Sequence, residues 1–256
     1  MSEQSGSIVG LFRKCEHGES LRPEQSVFLE KSFGIQGDVN GHPISPRQVL
    51  VVRDEDLREA AIAPGSLREN LIIQNIDADH LKPGSLLEFE SGAKIRLTFY
   101  CEPCKKISEF VEDWKNFKGK RGVLGVVVES GNVAIANNLQ VTTAIFKPLS
   151  EIPYERFLSF VSKIPAGKVV TYKEVLLGMG VDRSYFRAIP QYLKKTSTDD
   201  YPLHRILNSR GELIPYVPDQ EQKLKSEGLQ LQKIGQSIKI NVTDYLWQAN
   251  VIATLS

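Results

Sequence analysis

Ile164-Pro-Ala-Gly-Lys-Val-Val-Thr-Tyr-Lys-Glu-Val175 and Tyr201-Pro-Leu-His-Arg-Ile-Leu-Asn-Ser-Arg-Gly211 bound the segment that decides the fold of the second half of the chain. Apolar residues recur at helical spacing before this segment, and Pro165 with Gly167 predicts that the helix they form ends there. The segment therefore begins at a helix end followed by a tight turn.

Two further helices are predicted inside the segment. Thr171 and Glu174 have the spacing of a capping box, which predicts a short helix, and Gly180 then breaks the chain. Asp182 and Ser184 are each a possible cap for a third helix that runs to about Lys195. A helix, a glycine turn and a helix with basic residues form the helix-turn-helix pattern, whose second helix contacts DNA. Short helix pairs also occur in many α/β proteins, so a purely structural pair stays open.

The order and spacing of four motifs carry a resemblance. Tyr172, Arg187, Pro202-Leu-His-Arg205 and Asn208-Ser-Arg-Gly211 resemble the alkylguanine-DNA alkyltransferases. In that family the tetrapeptide is Pro-Cys-His-Arg, its cysteine takes the alkyl group from a flipped guanine, and a histidine activates the cysteine. Leu203 has no lone pair or titratable proton, so no alkyl transfer is expected here. The chain is more similar to the alkyltransferase-like proteins, which recognise alkylated bases without repairing them.

The resemblance implies DNA-binding roles for Tyr172, Arg187, His204 and Arg205. Tyr172 would rotate the nucleotide out of the duplex, and Arg187 would fill the vacated stack. The alternatives are a half-buried aromatic ring and a solvated charge, and His204 could equally be a structural histidine because no thiol needs a base. The expected partner is DNA or a modified nucleobase, bound through residues 164–211.

Composition limits how strongly such a partner is held. The chain has 256 residues, 41% hydrophobic and 25% charged, with a net charge of +1. It therefore has room for two cores but no bulk positive charge for nucleic acid. Residues 152–214 hold ten Lys/Arg against six Asp/Glu. This local excess predicts weak, salt-sensitive contact with DNA.

The sequence predicts a cytoplasmic protein that does not bind a membrane. No apolar run approaches the roughly 20 residues of a membrane span, and the N-terminus lacks the form of a signal peptide. Three cysteines, an odd number, are more typical of a reducing compartment than of a disulfide framework.

The first half of the chain has a different texture, with short β-rich runs between glycines and prolines. So many short strands favour a closed or nearly closed barrel. Helices are predicted at Asp54–Ala61 and Lys106–Phe117. The predicted strands are Ile8–Phe12, Ser26–Glu30, Gln48–Arg53, Leu71–Gln74, Leu86–Glu90, Lys94–Tyr100, Val123–Glu129 and Val133–Ala136.

Three polar clusters of this half are candidates for chemistry. A glycine-rich loop is expected to bring Asp38 and Arg47 together, and Arg68-Glu-Asn70 leads into a strand. The third cluster is Cys101-Glu-Pro-Cys104-Lys-Lys106, in which two ammonium groups favour the thiolate. No second Cys/His pair has ligand spacing, so zinc is not expected. A redox pair and two partly buried structural thiols remain as alternatives.

Taken in order, these clusters resemble the MOSC domain, named for the C-terminal part of molybdenum cofactor sulfurases. The resemblance implies that Cys104 carries a persulfide or ligates molybdenum, and that Asp38, Arg47, Arg68 and Asn70 hold the anionic molybdenum cofactor. A sulfur donor is then a second expected partner, and the family is also associated with pyridoxal phosphate. Each residue has a structural alternative: a loop cap at Asp38, a surface ion pair at Arg47 and a turn residue at Asn70.

The sequence thus predicts two domains: a mainly-β MOSC-like barrel over residues 1–148, then an α+β winged-helix-like domain with the helix-turn-helix over residues 149–256. The leading hypothesis is a molybdenum-cofactor or sulfur-carrying site tethered to a non-catalytic DNA recognition module. Two alternatives remain. One is a sensor of DNA alkylation damage whose barrel is only a scaffold, and the other is an interaction scaffold without catalysis.

Overall fold

The computed structural model describes residues 1–114, 117, 119–235 and 237–255. The chain divides into two compact units, Met1–Glu151 and Ile152–Ser256. Over these described ranges, every helix is too short or too polar to cross a lipid bilayer.

The first unit is a β-barrel, as the sequence predicts. Strands β1, β11, β7, β8, β9, β5 and β6 follow one another around the barrel, and β6 pairs with β1 to close it. The pair of β5 and β6 is parallel. The strands described in this unit are β1 (Glu3–Arg13), β2 (Arg22–Pro23), β3 (Ser26–Glu30), β4 (Gly34–Ile35), β5 (Val49–Arg53), β6 (Leu71–Gln74), β7 (Leu86–Phe89), β8 (Lys94–Tyr100), β9 (Val123–Glu129), β10 (Gly131–Ala134) and β11 (Asn138–Thr142).

Strand β5 is buried on both faces, and this explains its unbroken apolar sequence. Val49 and Val51 pack in the cluster that fills the barrel. Leu50 and Val52 point the opposite way and pack in a second cluster outside it. Cys101, the residue after β8, belongs to that outer cluster. The end of β8 therefore delivers the cysteine segment to a covered face of the barrel.

Most predicted strands of the barrel unit are confirmed, one is shifted, and three short strands, β2, β4 and β11, were not predicted. The predicted strand Val133–Ala136 lies earlier, at β10, where it pairs with β3. Strand β11, which closes the barrel, was not predicted, because it is a short alternating run that gains its stability from pairing with both β1 and β7.

Of the two helices predicted in the first unit, one is confirmed and the other differs over the described residues. A helix, α1, forms at Asp54–Glu59. In the region predicted as helix Lys106–Phe117, the structure has a 3-10 helix at Lys105–Ile107, and residues 115 and 116 lie outside the described residues. Cys104, the residue before this helix, has an extended backbone.

The second unit is the predicted α+β domain with a helix pair. Its elements are α2 (Pro153–Val161), β12 (Val170–Thr171), α3 (Tyr172–Met179), a 3-10 helix (Arg183–Ala188), α4 (Ile189–Lys195), a 3-10 helix (Leu203–Arg205), β13 (Ile206–Leu207), α5 (Gln220–Ser226), β14 (Gln232–Ile234), β15 (Ser237–Lys239), α6 (Val242–Tyr245) and α7 (Val251–Thr254). Strands β12 and β13 are parallel, and β14 and β15 form a hairpin.

The helix boundaries follow from local chemistry. The predicted capping box is confirmed: the Thr171 hydroxyl accepts a hydrogen bond at the start of α3, and Glu174 accepts the Thr171 backbone N–H. Gly180 ends α3 with φ of 64°. The single helix predicted from Asp182 to Lys195 is wrong. It is divided into a 3-10 helix and α4, because Pro190 in the first turn of α4 cannot donate a helical hydrogen bond.

Candidate functional sites

Cys104 lies against a buried arginine. Arg121 Nη1 donates hydrogen bonds to Cys104 Sγ at 3.1 Å and to the Glu102 carbonyl at 2.5 Å. The arginine is 5% exposed, whereas Cys104 is half-buried. Gly122 makes this position possible: its φ is +89°, and a Cβ there would lie 2.4 Å from the Val51 carbonyl oxygen. The geometry therefore joins a partly accessible sulfur to a fixed cation.

Cys101 is the buried member of the cysteine pair. It is 2% exposed. Burial raises the pKa of the Cys101 thiol, and the guanidinium groups of Arg121 and Arg47 oppose that rise. Two arginines thus act electrostatically on the cysteine segment. The motifs that resemble the MOSC domain include both, but the sequence predicts a site role only for Arg47.

Glu69, next to two predicted cofactor residues, is completely buried. Its Oε1 accepts the Gly65 N–H at 2.5 Å. Burial raises the pKa of Glu69, although hydrogen bonds from backbone N–H groups oppose the shift. The carboxyl also interacts electrostatically with Arg121, so it belongs to the surroundings of the cysteine site.

Asp38 and Asn70, both predicted to hold cofactor, bind each other. Asn70 Nδ2 donates to Asp38 Oδ2 and to the Phe12 carbonyl, each at 3.2 Å, and its Oδ1 accepts the Leu50 N–H at 3.0 Å. Asp38 Oδ2 also accepts the Lys14 N–H at 2.9 Å. Both amide hydrogens of Asn70 are therefore already used to tie loops to the barrel.

The two predicted cofactor-binding arginines are placed differently. Arg47 is half-buried and acts electrostatically on Cys101. Arg68 is exposed and has a left-handed backbone, with φ of 65°, at the turn before Glu69. The structure thus associates Arg47 with the cysteine segment and presents Arg68 to solvent.

The tetrapeptide of the second unit surrounds a buried leucine. Leu203 is 0% exposed. Next to it, His204 Nε2 lies 2.8 Å from Glu227 Oε1. Burial lowers the pKa of His204, and the hydrogen bond to Glu227 only partly offsets this. His204 and Glu227 therefore form a histidine–carboxylate pair, but the neighbouring side chain, that of Leu203, contains only carbon and hydrogen.

Arg205 forms a structural clamp with the same carboxylate. Its Nε and Nη2 lie 3.0 and 2.7 Å from Glu227 Oε1, and its Nη1 donates to the Ile164 carbonyl. Burial alone would raise the pKa of Glu227, but hydrogen bonds from Arg205, His204 and the Gly167 N–H outweigh it and lower the pKa to about 2. The sequence predicts that His204 and Arg205 contact DNA. In the structure, both side chains bind the Glu227 carboxylate within the second unit. Sequence analysis missed Glu227, which no local motif marks.

Tyr172 and Arg187 contrast in exposure. Tyr172 is 7% exposed, its hydroxyl lies 2.9 Å from the Tyr216 hydroxyl, and its ring centroid lies 5.5 Å from that of Phe186. Burial and the Tyr216 hydrogen bond raise the pKa of Tyr172. Phe186 is 45% exposed and Arg187 beside it is exposed as well. The 3-10 helix thus exposes an aromatic side chain and a cation close to a buried tyrosine.

Comparison with known proteins matches the two units to two families. Residues 43–141 match the MOSC domain, and residues 152–233 match the 6-O-methylguanine DNA methyltransferase DNA-binding domain. The YUAD protein from Bacillus subtilis has the fold of the first half, with a TM-score of 0.51, 20% identity, and coverage of 55% of this chain and 97% of that one.

Two curated proteins are similar to the second half. Alkyltransferase-like protein 1 of Schizosaccharomyces pombe is 31% identical over 103 residues, which cover 37% of this chain and 94% of the relative. The DNA base-flipping protein of Vibrio parahaemolyticus is 32% identical over 97 residues, which cover 36% of this chain and 93% of the relative. Both alignments span nearly the whole relative.

Proposed function

We propose that this chain, a member of the alkyltransferase-like family with a MOSC domain ahead of its DNA-binding domain, recognises alkylated guanine in duplex DNA without repairing it and carries sulfur on Cys104. The observation that carries the first part is Leu203, fully buried at the acceptor position beside His204 and Glu227. The observation that carries the second is the 3.1 Å contact between Arg121 Nη1 and Cys104 Sγ.

The recognition proposal rests on which side chains the second unit has around Leu203. His204 and its carboxylate partner Glu227 are present, but a leucine side chain cannot accept an alkyl group. One similar protein is named for base flipping, which requires a group to replace the flipped base in the stack. Arg187, exposed on the 3-10 helix, supplies a planar cation for that role.

The test of recognition compares two duplexes that differ by a single O6-methylguanine. We expect the full chain to prefer the modified duplex, and Arg187→Ala to lose about tenfold in affinity because one stacking contact is removed. Arg183→Ala is the matched control, since Arg183 is exposed on the same 3-10 helix. Equal affinity of the wild-type chain for both duplexes would refute lesion recognition.

The first unit partly fits the implied molybdenum cofactor. Cys104 offers a soft sulfur ligand, and Arg121 and Arg47 offer positive charge for an anionic group. Asp38 and Asn70 do not fit, because they are bonded to each other and to backbone groups. When bound, the cofactor would supply redox chemistry. Cys104 would ligate its molybdenum, and Arg121 and Arg47 would hold its anionic part.

Analysis of protein purified from its native host tests the sulfur proposal. We expect labile sulfur, with or without molybdenum, that is lost in Cys104→Ser and kept in Cys15→Ser, since Cys15 is another half-buried free cysteine. Full retention of sulfur in Cys104→Ser would overturn the role of Cys104. A chain that binds modified DNA but holds neither sulfur nor cofactor would be a damage sensor with a scaffold barrel.

A further inference from the structure

Two buried polar groups at the cysteine site lack partners. Arg121 Nε and Glu69 Oε2 have no hydrogen-bond partner among the residues that the structure describes. Arg121 is 5% exposed and Glu69 is 0% exposed, so bulk water does not replace those partners. A buried polar atom without a partner costs about 1–3 kcal/mol, and such atoms mark places where a ligand or ion completes the structure.

Resting on the proposed function of Cys104, we propose that Arg121 is the anion-binding residue of this site and that the site takes sulfane sulfur from a small oxyanion such as thiosulfate. Arg121 already contacts the sulfur through Nη1, and its Nε leaves a further donor in the same plane. A guanidinium presents its N–H groups in a planar fork that matches an oxyanion.

The other charged groups around the site favour a small anion. Arg47 acts on the neighbouring Cys101, and Lys105 is exposed directly after Cys104. Glu102 and Glu69 are the opposing carboxyl groups. Burial raises the pKa of Glu69, which weakens the repulsion between this carboxyl group and an anion.

The transfer step balances without an added oxidant or reductant. The Cys104 thiolate attacks the sulfane sulfur of thiosulfate and forms a new sulfur–sulfur bond. The original sulfur–sulfur bond breaks, and sulfite leaves with that electron pair and two negative charges. The single negative charge of the thiolate remains on the new persulfide. Arg121, which contacts the sulfur before transfer, stabilises the negative charge at the persulfide and at the departing sulfite.

The experiment incubates the full chain with thiosulfate and follows two products. Mass spectrometry should find one added sulfur atom on the peptide that contains Cys104, and sulfite should appear in equal amount. We expect Arg121→Gln to slow transfer by about tenfold, the loss of one charge-assisted hydrogen bond, and Arg121→Lys to slow it less.

A second measurement uses the wild-type chain. It tests anion binding at Arg121 even if Arg121→Gln does not fold. Inorganic sulfate should slow iodoacetamide labelling of Cys104 in the wild-type chain and leave labelling of Cys15 unchanged. Equal protection of both cysteines, or of neither, would overturn anion binding at Arg121.

The outcomes separate this inference from the proposal on which it rests. If thiosulfate transfers no sulfur but inorganic polysulfide forms a persulfide on Cys104, the oxyanion donor is wrong and sulfur carriage stands. If neither donor loads Cys104 and the native protein holds no labile sulfur, sulfur carriage itself fails.

Discussion

The two units differ in how they bond one arginine, half-buried Arg205 in the second unit and buried Arg121 in the first. Arg205 is paired with the Glu227 carboxylate and the Ile164 carbonyl, so its charge is balanced within the protein. Arg121 contacts the Cys104 sulfur and one carbonyl, and its Nε has no partner within the described part of the chain. The first arrangement is structural. The second leaves an unpartnered donor next to a thiol. This difference is the structural basis of the two roles proposed above, recognition for the second unit and sulfur carrying for the first.

The largest expected difference between the two units is in stability, and substitutions of Leu203 and Cys104 test it. Leu203→Ala should lower the free energy of unfolding of the second unit by about 3 kcal/mol, because it leaves a cavity at a fully buried position. Cys104→Ala should cost the first unit less than about 1 kcal/mol, since Cys104 is half-buried.

Urea unfolding measures both costs, and Leu203→Met, which keeps the volume, is the control with an expected cost below about 1.5 kcal/mol. A loss from Cys104→Ala as large as that from Leu203→Ala would mean that the sulfur has a packing role.

The next largest effect is the pH dependence of the Glu227 clamp. The folded-state pKa of Glu227 is about 2, below the ordinary 4.5. A depressed carboxylate pKa stabilises the fold fully above about pH 4.5, and the stabilisation is lost as pH falls towards 2. The loss should approach about 3 kcal/mol for the second unit.

Fluorescence of Trp247 in a Trp114→Phe background follows this unit through acid titration. Glu227→Gln should remove most of the slope between pH 4.5 and 2. Glu221→Gln is the matched control, because Glu221 forms an exposed ion pair with Lys225. If Glu227→Gln left the slope unchanged, the acid dependence of the second unit would not come from a depressed pKa of Glu227.

The elements of the clamp and of the cysteine site could be predicted only in part. Short motifs in the sequence single out Tyr172, Arg187 and the tetrapeptide, and their roles stay predictions. The capping box of Thr171 and Glu174 is confirmed, because capping is local. Glu227 lies 23 residues after His204, and their contact depends on how α5 folds back. No spacing rule covers such a contact.

In the barrel, the contact between Arg121 and Cys104 could not be predicted for the same reason: the two residues are distant in the sequence. Arg121 is 17 residues after Cys104, and the turn at Gly122 brings them together. The sequence indicated Asn70 as a polar residue at a strand start, which is compatible with a ligand or a structural role. Only the fold shows that its amide joins Phe12, Leu50 and Asp38.

Asn70 gives a test of intermediate size. Asn70→Ala should cost the first unit about 2 kcal/mol, because the Leu50 N–H and the Asp38 carboxylate lose a buried partner. Asn132→Ala, at an exposed strand position, is the control and should change stability by less than about 0.5 kcal/mol. If Asn70→Ala unfolds like the wild-type chain but loses bound cofactor, the residue has the ligand role that the sequence suggested.

The smallest effect concerns the hydrogen-bonded pair of Tyr172 and Tyr216, in which Tyr172 is buried and is also proposed to act in recognition. Tyr172→Phe removes the hydrogen bond to Tyr216 and should cost about 1 kcal/mol, as should Tyr216→Phe. The double variant should cost less than the sum, because both changes remove the same bond.

Affinity for the O6-methylguanine duplex distinguishes the two roles of Tyr172. If its ring alone displaces the nucleotide, Tyr172→Phe should bind within about threefold of the wild-type chain, a difference below 1 kcal/mol. A larger loss in Tyr172→Phe than in Tyr216→Phe would mean that the Tyr172 hydroxyl contacts DNA directly. The tyrosine pair would then have to separate on binding, and the second unit would resemble the cysteine site in keeping a polar group available for its ligand.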